Sequence, residues 1–228
     1  MVTSASDVPV RAPGTRARSG NAMGRTRAAL LEATAECVAR YGIRKTTMVD
    51  VASKSGVAKA TLYNHFRTKD DVLAAVVDQQ VADLVGACVA LASAQGLVAA
   101  LAHAATALGS HPGLRKAADG EQALLAPVLT PSGGRGWQLA RDGVAAVLAA
   151  GGAPKGPAQV ELVLRWCTSQ ALWPVAADAV EQAASTLVGG LGAAGAAVAA
   201  PPAPARAPVA PRTSPETLAA GSGLGWPA

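Results

Sequence analysis

Thr47 with Asp50, and Thr68 with Asp71, form two helix-start signatures of the form Thr-x-x-Asp, and they bracket a Ser55-Gly56-Val57 turn. In such a capping box the threonine hydroxyl accepts from an early backbone amide and the residue three positions on reaches back to the cap. Gly56 can take the left-handed conformation that ends a helix at little steric cost. The chain is therefore obliged to make short helices in quick succession. The first, after Thr47, turns Met48, Val51 and Ala52 inward; the second runs from about Ala58 to His65. Val57 and Leu62 point to the core, with Phe66 just past the helix end doing likewise, while Lys59, Ala60, Tyr63 and Asn64 are left outward. Upstream, Leu30, Ala33, Thr34, Cys37, Val38 and Tyr41 recur at three- and four-residue spacing, an apolar stripe that Gly42 closes. A scaffold helix followed by two short helices across a tight turn is a helix-turn-helix.

The charge distribution matches that geometry. Residues 1–70 carry 12 Lys/Arg against 5 Asp/Glu, and residues 71–228 carry 8 against 10. A basic front third ahead of a near-neutral remainder is the electrostatic footprint of a nucleic-acid-binding head on a body with another task. The segment Gly56 to Lys69, GVAKATLYNHFRTK, packs polar and aromatic donors onto one short helix, as a helix pressed against phosphates and base edges requires. Of the outward residues, Asn64 is the one able to read a base through two hydrogen bonds. Lys69 at a helix start opposes the helix dipole, which makes a phosphate partner attractive.

The apolar half of the composition is mostly Ala, Val and Leu, with one Phe, two Tyr and four Trp, which favours packed helices over a β-sandwich. The expected fold is all-α. Residues 1–23, rich in Ser, Pro, Gly and Arg, read as a flexible basic arm; 24–70 as the helix-turn-helix domain; 71–191 as a helical body; and 192–228, dominated by Ala, Pro and Gly, as a disordered tail. An unbroken helix from Lys69 to about Ala92, roughly 36 Å at 1.5 Å per residue, would link head to body. Gly/Pro breaks at 111–113, 131–134, 151–154 and 173–174 divide the rest into helices over 97–110, 120–129, 136–150, 157–173 and 176–191.

These residues resemble the TetR family of bacterial transcriptional regulators. The likeness lies between Arg25 and Val77, in ARYGIRKTT followed by VDVASKSGVAKATLYNHFRTKDDVL, and beyond residue 90 it is architectural only. The resemblance implies a homodimer whose second short helices enter the major groove of a palindromic operator, released when a small molecule in the body moves the linking helix. Carried over residue by residue, it implies phosphate contact at Thr47 and Lys69. It also implies presentation of Lys59, Ala60, Thr61, Tyr63, Asn64 and His65 to double-stranded DNA. The sequence departs from the family pattern at Ala58, where Ser or Thr is common, at Ala60, where Gly is common, and at Val49, Val38 and Ile43. A weaker cap on the recognition helix follows. An interaction protein of the same fold, binding DNA weakly or without sequence preference, is the alternative.

The two apolar helices that end the body would pair with their symmetry mates through Val160, Leu164, Cys167, Ala171, Val180, Ala184 and Leu187, since the tail offers nothing to cover them. Trp137, Trp166 and Trp173 suit core or dimer packing, or a ligand pocket whose residues the sequence leaves open. Cys37, Cys88 and Cys167 are isolated, as expected of reduced thiols in a cytoplasmic protein. His103 and His111 have no acidic or thiol neighbour at ligand spacing, so neither a metal nor a cofactor is expected, and no nucleophile, base and orienter come together as an enzyme would need. The Ala/Gly-rich run 183–200 has too little Leu, Ile and Phe for a membrane span, and no signal-peptide core precedes residue 25.

Overall fold

The computed structural model describes residues 15–121, 123 and 135–193, and among these every regular element is an α-helix. In chain order they are α1 (Thr15–Tyr41), α2 (Met48–Ser55), α3 (Lys59–His65), α4 (Lys69–Gln95), α5 (Leu97–Ser110), α6 (Pro112–Gly120), α7 (Arg135–Ala150), α8 (Pro157–Leu172) and α9 (Val180–Ala193). The tail from residue 194 onward and the arm before residue 15 lie outside the described residues, as does almost all of the helix expected over 120–129.

The head is α1 to α3 with the start of α4. Its core gathers Leu30, Leu31 and Cys37 from α1, Met48, Val51 and Ala52 from α2, Leu62 from α3, Phe66 from the bend after it, and Val72 and Val76 from α4. Both capping boxes form: the Thr47 hydroxyl accepts from the Asp50 amide at 3.2 Å, and the Thr68 hydroxyl accepts from the Asp71 amide at 3.1 Å. Each aspartate in return accepts from its cap amide at 2.9 Å. Gly56 ends α2 at φ +67°, in the left-handed region.

Four helices differ from the sequence expectation. The first begins at Thr15, nine residues inside the segment read as an irregular arm (15–23), because no proline follows Pro13 and the Arg and Ala residues there accept helical backbone. The second, α6, begins at Pro112-Gly113, where the sequence points to a break. Proline at the first helical position lacks only an amide that has no partner anyway, and His111 Nδ1 caps the helix by accepting from the Leu114 amide at 3.3 Å. The long helix α4 runs past Ala92 to Gln95, about 40 Å at 1.5 Å per residue. The last, α9, starts at Val180 instead of residue 176.

The body is assembled around α4 and α5. Helix α4 packs against α5 and α7 and reaches back to α1; α5 also meets α8 and α9, and α6 bridges α1 to α8. By length and composition alone α4 could cross a membrane; its buried residues are Val72 and Val76 on the head side and Cys88 and Ala92 on the body side. The body core sets Ala100, Ala102, Ala104, Ala105 and Ala184 among Leu97, Leu101, Val147, Leu148, Val163 and Leu191. Helices approach closely where glycine permits. A Cβ on Gly143 of α7 would fall 2.3 Å from a Val85 methyl of α4, and one on Gly109 of α5 would fall 2.7 Å from Pro174.

Val160, Leu164, Ala171, Val180 and Ala184 are buried within the subunit, and Cys167 and Leu187 are half-buried against the same core. Helices α8 and α9 are apolar on more than one face, so periodicity did not reveal which face turns inward. The inward face packs on α5 and α7; the opposite face exposes Leu162 and leaves Trp173, 75% exposed, at the end of α8.

Candidate nucleic-acid interface

Helix α3 is short and amphipathic in the simplest way. Leu62, fully buried, and Phe66, 4% exposed, anchor it to the head core, and the remaining side chains have nowhere to go but outward. Lys59, Ala60, Tyr63 and Asn64 are exposed, and Thr61 and His65 half-buried at the flanks. Tyr63 is 43% exposed, so its ring and hydroxyl are available to a contact on this face. Lys59 sits 6.0 Å from the Tyr63 ring centre, so cation and ring occupy one patch. Ala58 stands at the cap of α3 with no side-chain hydrogen bond to the first-turn amides. Those amides are left open at the positive end of the helix.

Flanking groups extend the patch. Thr47 is exposed at the start of α2, its hydroxyl engaged with Asp50, whose carboxyl is held below its usual range by that hydrogen bond. Lys54 of α2 pairs with Glu36 of α1 at 2.6 Å, a link that holds its ammonium protonated above the ordinary value and ties the two helices together. Arg27 of α1 lies over the Phe66 ring at 4.7 Å, bracing the exit from α3. Lys69 donates from Nζ to the Arg44 carbonyl at 3.1 Å, so this lysine is engaged with the α1–α2 turn. An ammonium has three donors, and a phosphate can be added to that bond without breaking it. Lys59, Ala60, Tyr63 and Asn64 are all exposed and share one face of α3 by helical spacing, while Thr47 and Lys69 stand at the starts of α2 and α4.

Sequence reasoning missed Glu121. Its carboxylate, at the end of α6, accepts from the Ile43 amide at 2.7 Å and from the Arg44 amide at 3.0 Å. No local signal announces a contact between residues so far apart in the chain.

No group of His, Cys, Asp and Glu among the described residues is arranged to hold a metal. The thiols are free, and burial pushes Cys88 up to about 11 and Cys167 up to about 12, so both are protonated at neutral pH. His103 is exposed, and His111 is spent on capping α6.

Residues 30–76 match the family model described as bacterial regulatory proteins, tetR family. Over 55 residues the chain is 29% identical to an uncharacterized HTH-type transcriptional regulator of Mycobacterium tuberculosis strain H37Rv, and that stretch is 24% of this chain and 29% of the relative. Among solved structures, the TetR family repressor AlkX from Dietzia sp. strain DQ12-45-1b superposes with a TM-score of 0.58 at 17% identity, over 73% of this chain and 95% of that one. A TetR-family regulator from Mesorhizobium loti superposes with a TM-score of 0.55 at 19% identity, over 75% and 97%. At these identities the superpositions establish a shared fold.

Proposed function

Starting from the premise that this chain is a TetR-family transcriptional regulator with a DNA-binding head, we propose that it is a repressor released from a palindromic operator by a small molecule. The observation that carries the reading is the exposed face of α3, where Lys59, Ala60, Tyr63 and Asn64 stand out from a helix pinned by Leu62 and Phe66. A rigid backing lets such a face approach base edges without first ordering itself. Asn64 supplies the paired donor and acceptor that read adenine, Ala60 offers a methyl to thymine, and Thr61 and His65 flank the groove. Thr47 and Lys69 hold phosphates on either side.

Two heads must be joined to read a palindrome. In the proposed homodimer the outer faces of α8 and α9 meet. Leu162 on α8 and Trp173 just past its end are exposed, and on α9 the open space around Gly189, Gly190 and Gly192 lets a neighbouring helix come close. This replaces the buried residues Val160, Leu164, Ala171, Val180 and Ala184 with their opposite neighbours on the same helices. The protein works in the cytoplasm, and its effector binds within the helical body.

Gel-shift titration against the DNA upstream of the protein's own reading frame tests this. The expected result is a retarded band at a defined site that survives excess random duplex and disappears with the cognate small molecule. Binding no tighter than to random duplex, with all affinity lost together as salt rises, would instead support a head of weak and non-specific affinity.

A further inference from the structure

We propose that Glu121 is the positioning residue through which the body sets the angle of the DNA-binding head. The observation is a clasp between elements distant in sequence. Gly42 ends α1 with φ +86°, a backbone turn that aims the next two amides at one point. Successive amides converging in this way form an anion-binding nest. The nest is filled from the body: Glu121 Oε2 accepts from the Ile43 amide at 2.7 Å and Oε1 from the Arg44 amide at 3.0 Å. The fit is close, since a Cβ on Gly42 would lie 3.1 Å from the carboxylate.

The turn so held is the entry to α2 and α3, and it has a second tether. Lys69 at the start of α4 donates to the Arg44 carbonyl at 3.1 Å, so adjacent groups of one turn are gripped by α6 and by α4. The Thr46 hydroxyl donates to the Gly42 carbonyl at 2.7 Å and stiffens the turn from within. At its other side α6 is fastened to the body, where the Arg115 guanidinium donates to the Ala171 carbonyl at the end of α8. A continuous set of hydrogen bonds therefore runs from α8 through Arg115, α6 and Glu121 to the turn that carries α2 and α3. Because α8 supplies half of the proposed dimer face, any tilt of α6 on α8 changes the pitch of each head relative to its mate. This rests on the reading of α3 as the DNA-binding helix, and it adds the residue that fixes how far apart two such helices stand.

The test uses the full-length protein with Glu121→Ala and Glu121→Gln. Amide hydrogen exchange over residues 42–46 reads the clasp directly. The expected result is at least tenfold faster exchange at Ile43 and Arg44 in Glu121→Ala, with the head core over 51–66 unchanged. Glu121→Gln, which keeps one acceptor and turns a donor toward the second amide, falls between; should Glu121→Ala fail to fold, it carries the comparison. Binding to operator fragments whose half-sites are moved apart by one base pair reads the positioning. Wild type is expected to lose at least tenfold in affinity on the altered spacing and the variants to lose that discrimination, with affinity for an isolated half-site unchanged. A merely structural role would weaken all fragments equally. Unchanged exchange in both variants, or fast exchange with spacing discrimination intact, would overturn the proposal. If wild type binds no operator, it is the repressor reading that fails, and the exchange experiment still decides the clasp.

Discussion

The head and the body solve the same problem, packing helices, by opposite means. In the head, the starts of α2 and α4 are closed by side chains, Thr47 with Asp50 and Thr68 with Asp71, and the core is filled by large residues such as Leu30, Met48, Leu62 and Phe66. In the body the N-caps of α5 and α8 are glycines with no side-chain hydrogen bond, and among the described residues the core sets alanines beside leucines and valines with no buried aromatic. The head is specified locally and stands firm enough to present an exposed face. The body is specified by how near helices can come, an arrangement in which small shifts of one helix on another are transmitted instead of absorbed.

That contrast makes quantitative predictions. The head should fail by truncation: Leu62→Ala, at a fully buried position, is expected to cost about 2–5 kcal/mol, read by denaturant unfolding. The body should fail by enlargement. Gly143→Ala is expected to cost about 1–3 kcal/mol despite the better helix propensity of alanine, because its methyl meets Val85 at 2.3 Å; adding Val85→Ala should restore most of the loss. If the single variant is as stable as wild type, the close-approach account of the body is wrong.

Caps come next. Thr68→Ala should cost about 1 kcal/mol, whereas Ala58→Ser, which supplies a hydroxyl where α3 has none, should raise stability by a similar amount. Matching losses in thermal melts for both would mean that the α3 start is already satisfied.

The smallest effect is a pH dependence at the α6 cap. Burial lowers the His111 pKa from its ordinary value of 6.5, so the folded state prefers the neutral ring, which accepts from the Leu114 amide. Stability from this cap is present above 6.5 and is lost as pH falls from there through the lower folded value. Melting temperature should drop more steeply below pH 6.5 in wild type than in His111→Asn, whose side chain caps without titrating; parallel profiles would remove His111 from the account.

The same contrast explains what could be read in advance. Each feature of the head has a local cause: a threonine and an aspartate three apart, a glycine at the one positive φ the α2 end needs, a leucine and a phenylalanine at helical spacing. The body offers few such marks. Leu162 and Val163 are neighbours, one exposed and one buried, yet both are aliphatic, so the inward face of α8 depends on what α5 and α7 present to it. Helix α6 hid behind Pro112-Gly113, because proline both ends one helix and starts the next. The extension of α1 to Thr15 crosses Gly20 and Gly24, residues that locally disfavour a helix. Among the outward residues of α3, sequence spacing already separated Lys59, Tyr63 and Asn64 from Leu62. Glu121 was invisible because its partners lie in a turn with no pattern of its own.

The most direct measurement is competitive operator binding by wild type and by Asn64→Ala across a series of single base-pair changes. The account predicts that wild type loses about 1–3 kcal/mol at one position of each half-site, and that Asn64→Ala loses the same amount on the intact operator and no longer distinguishes that position. Identical base preferences in the two proteins, or preferences that persist when Lys59, Tyr63 and Asn64 are all replaced by alanine, would contradict the claim that the exposed face of α3 reads DNA.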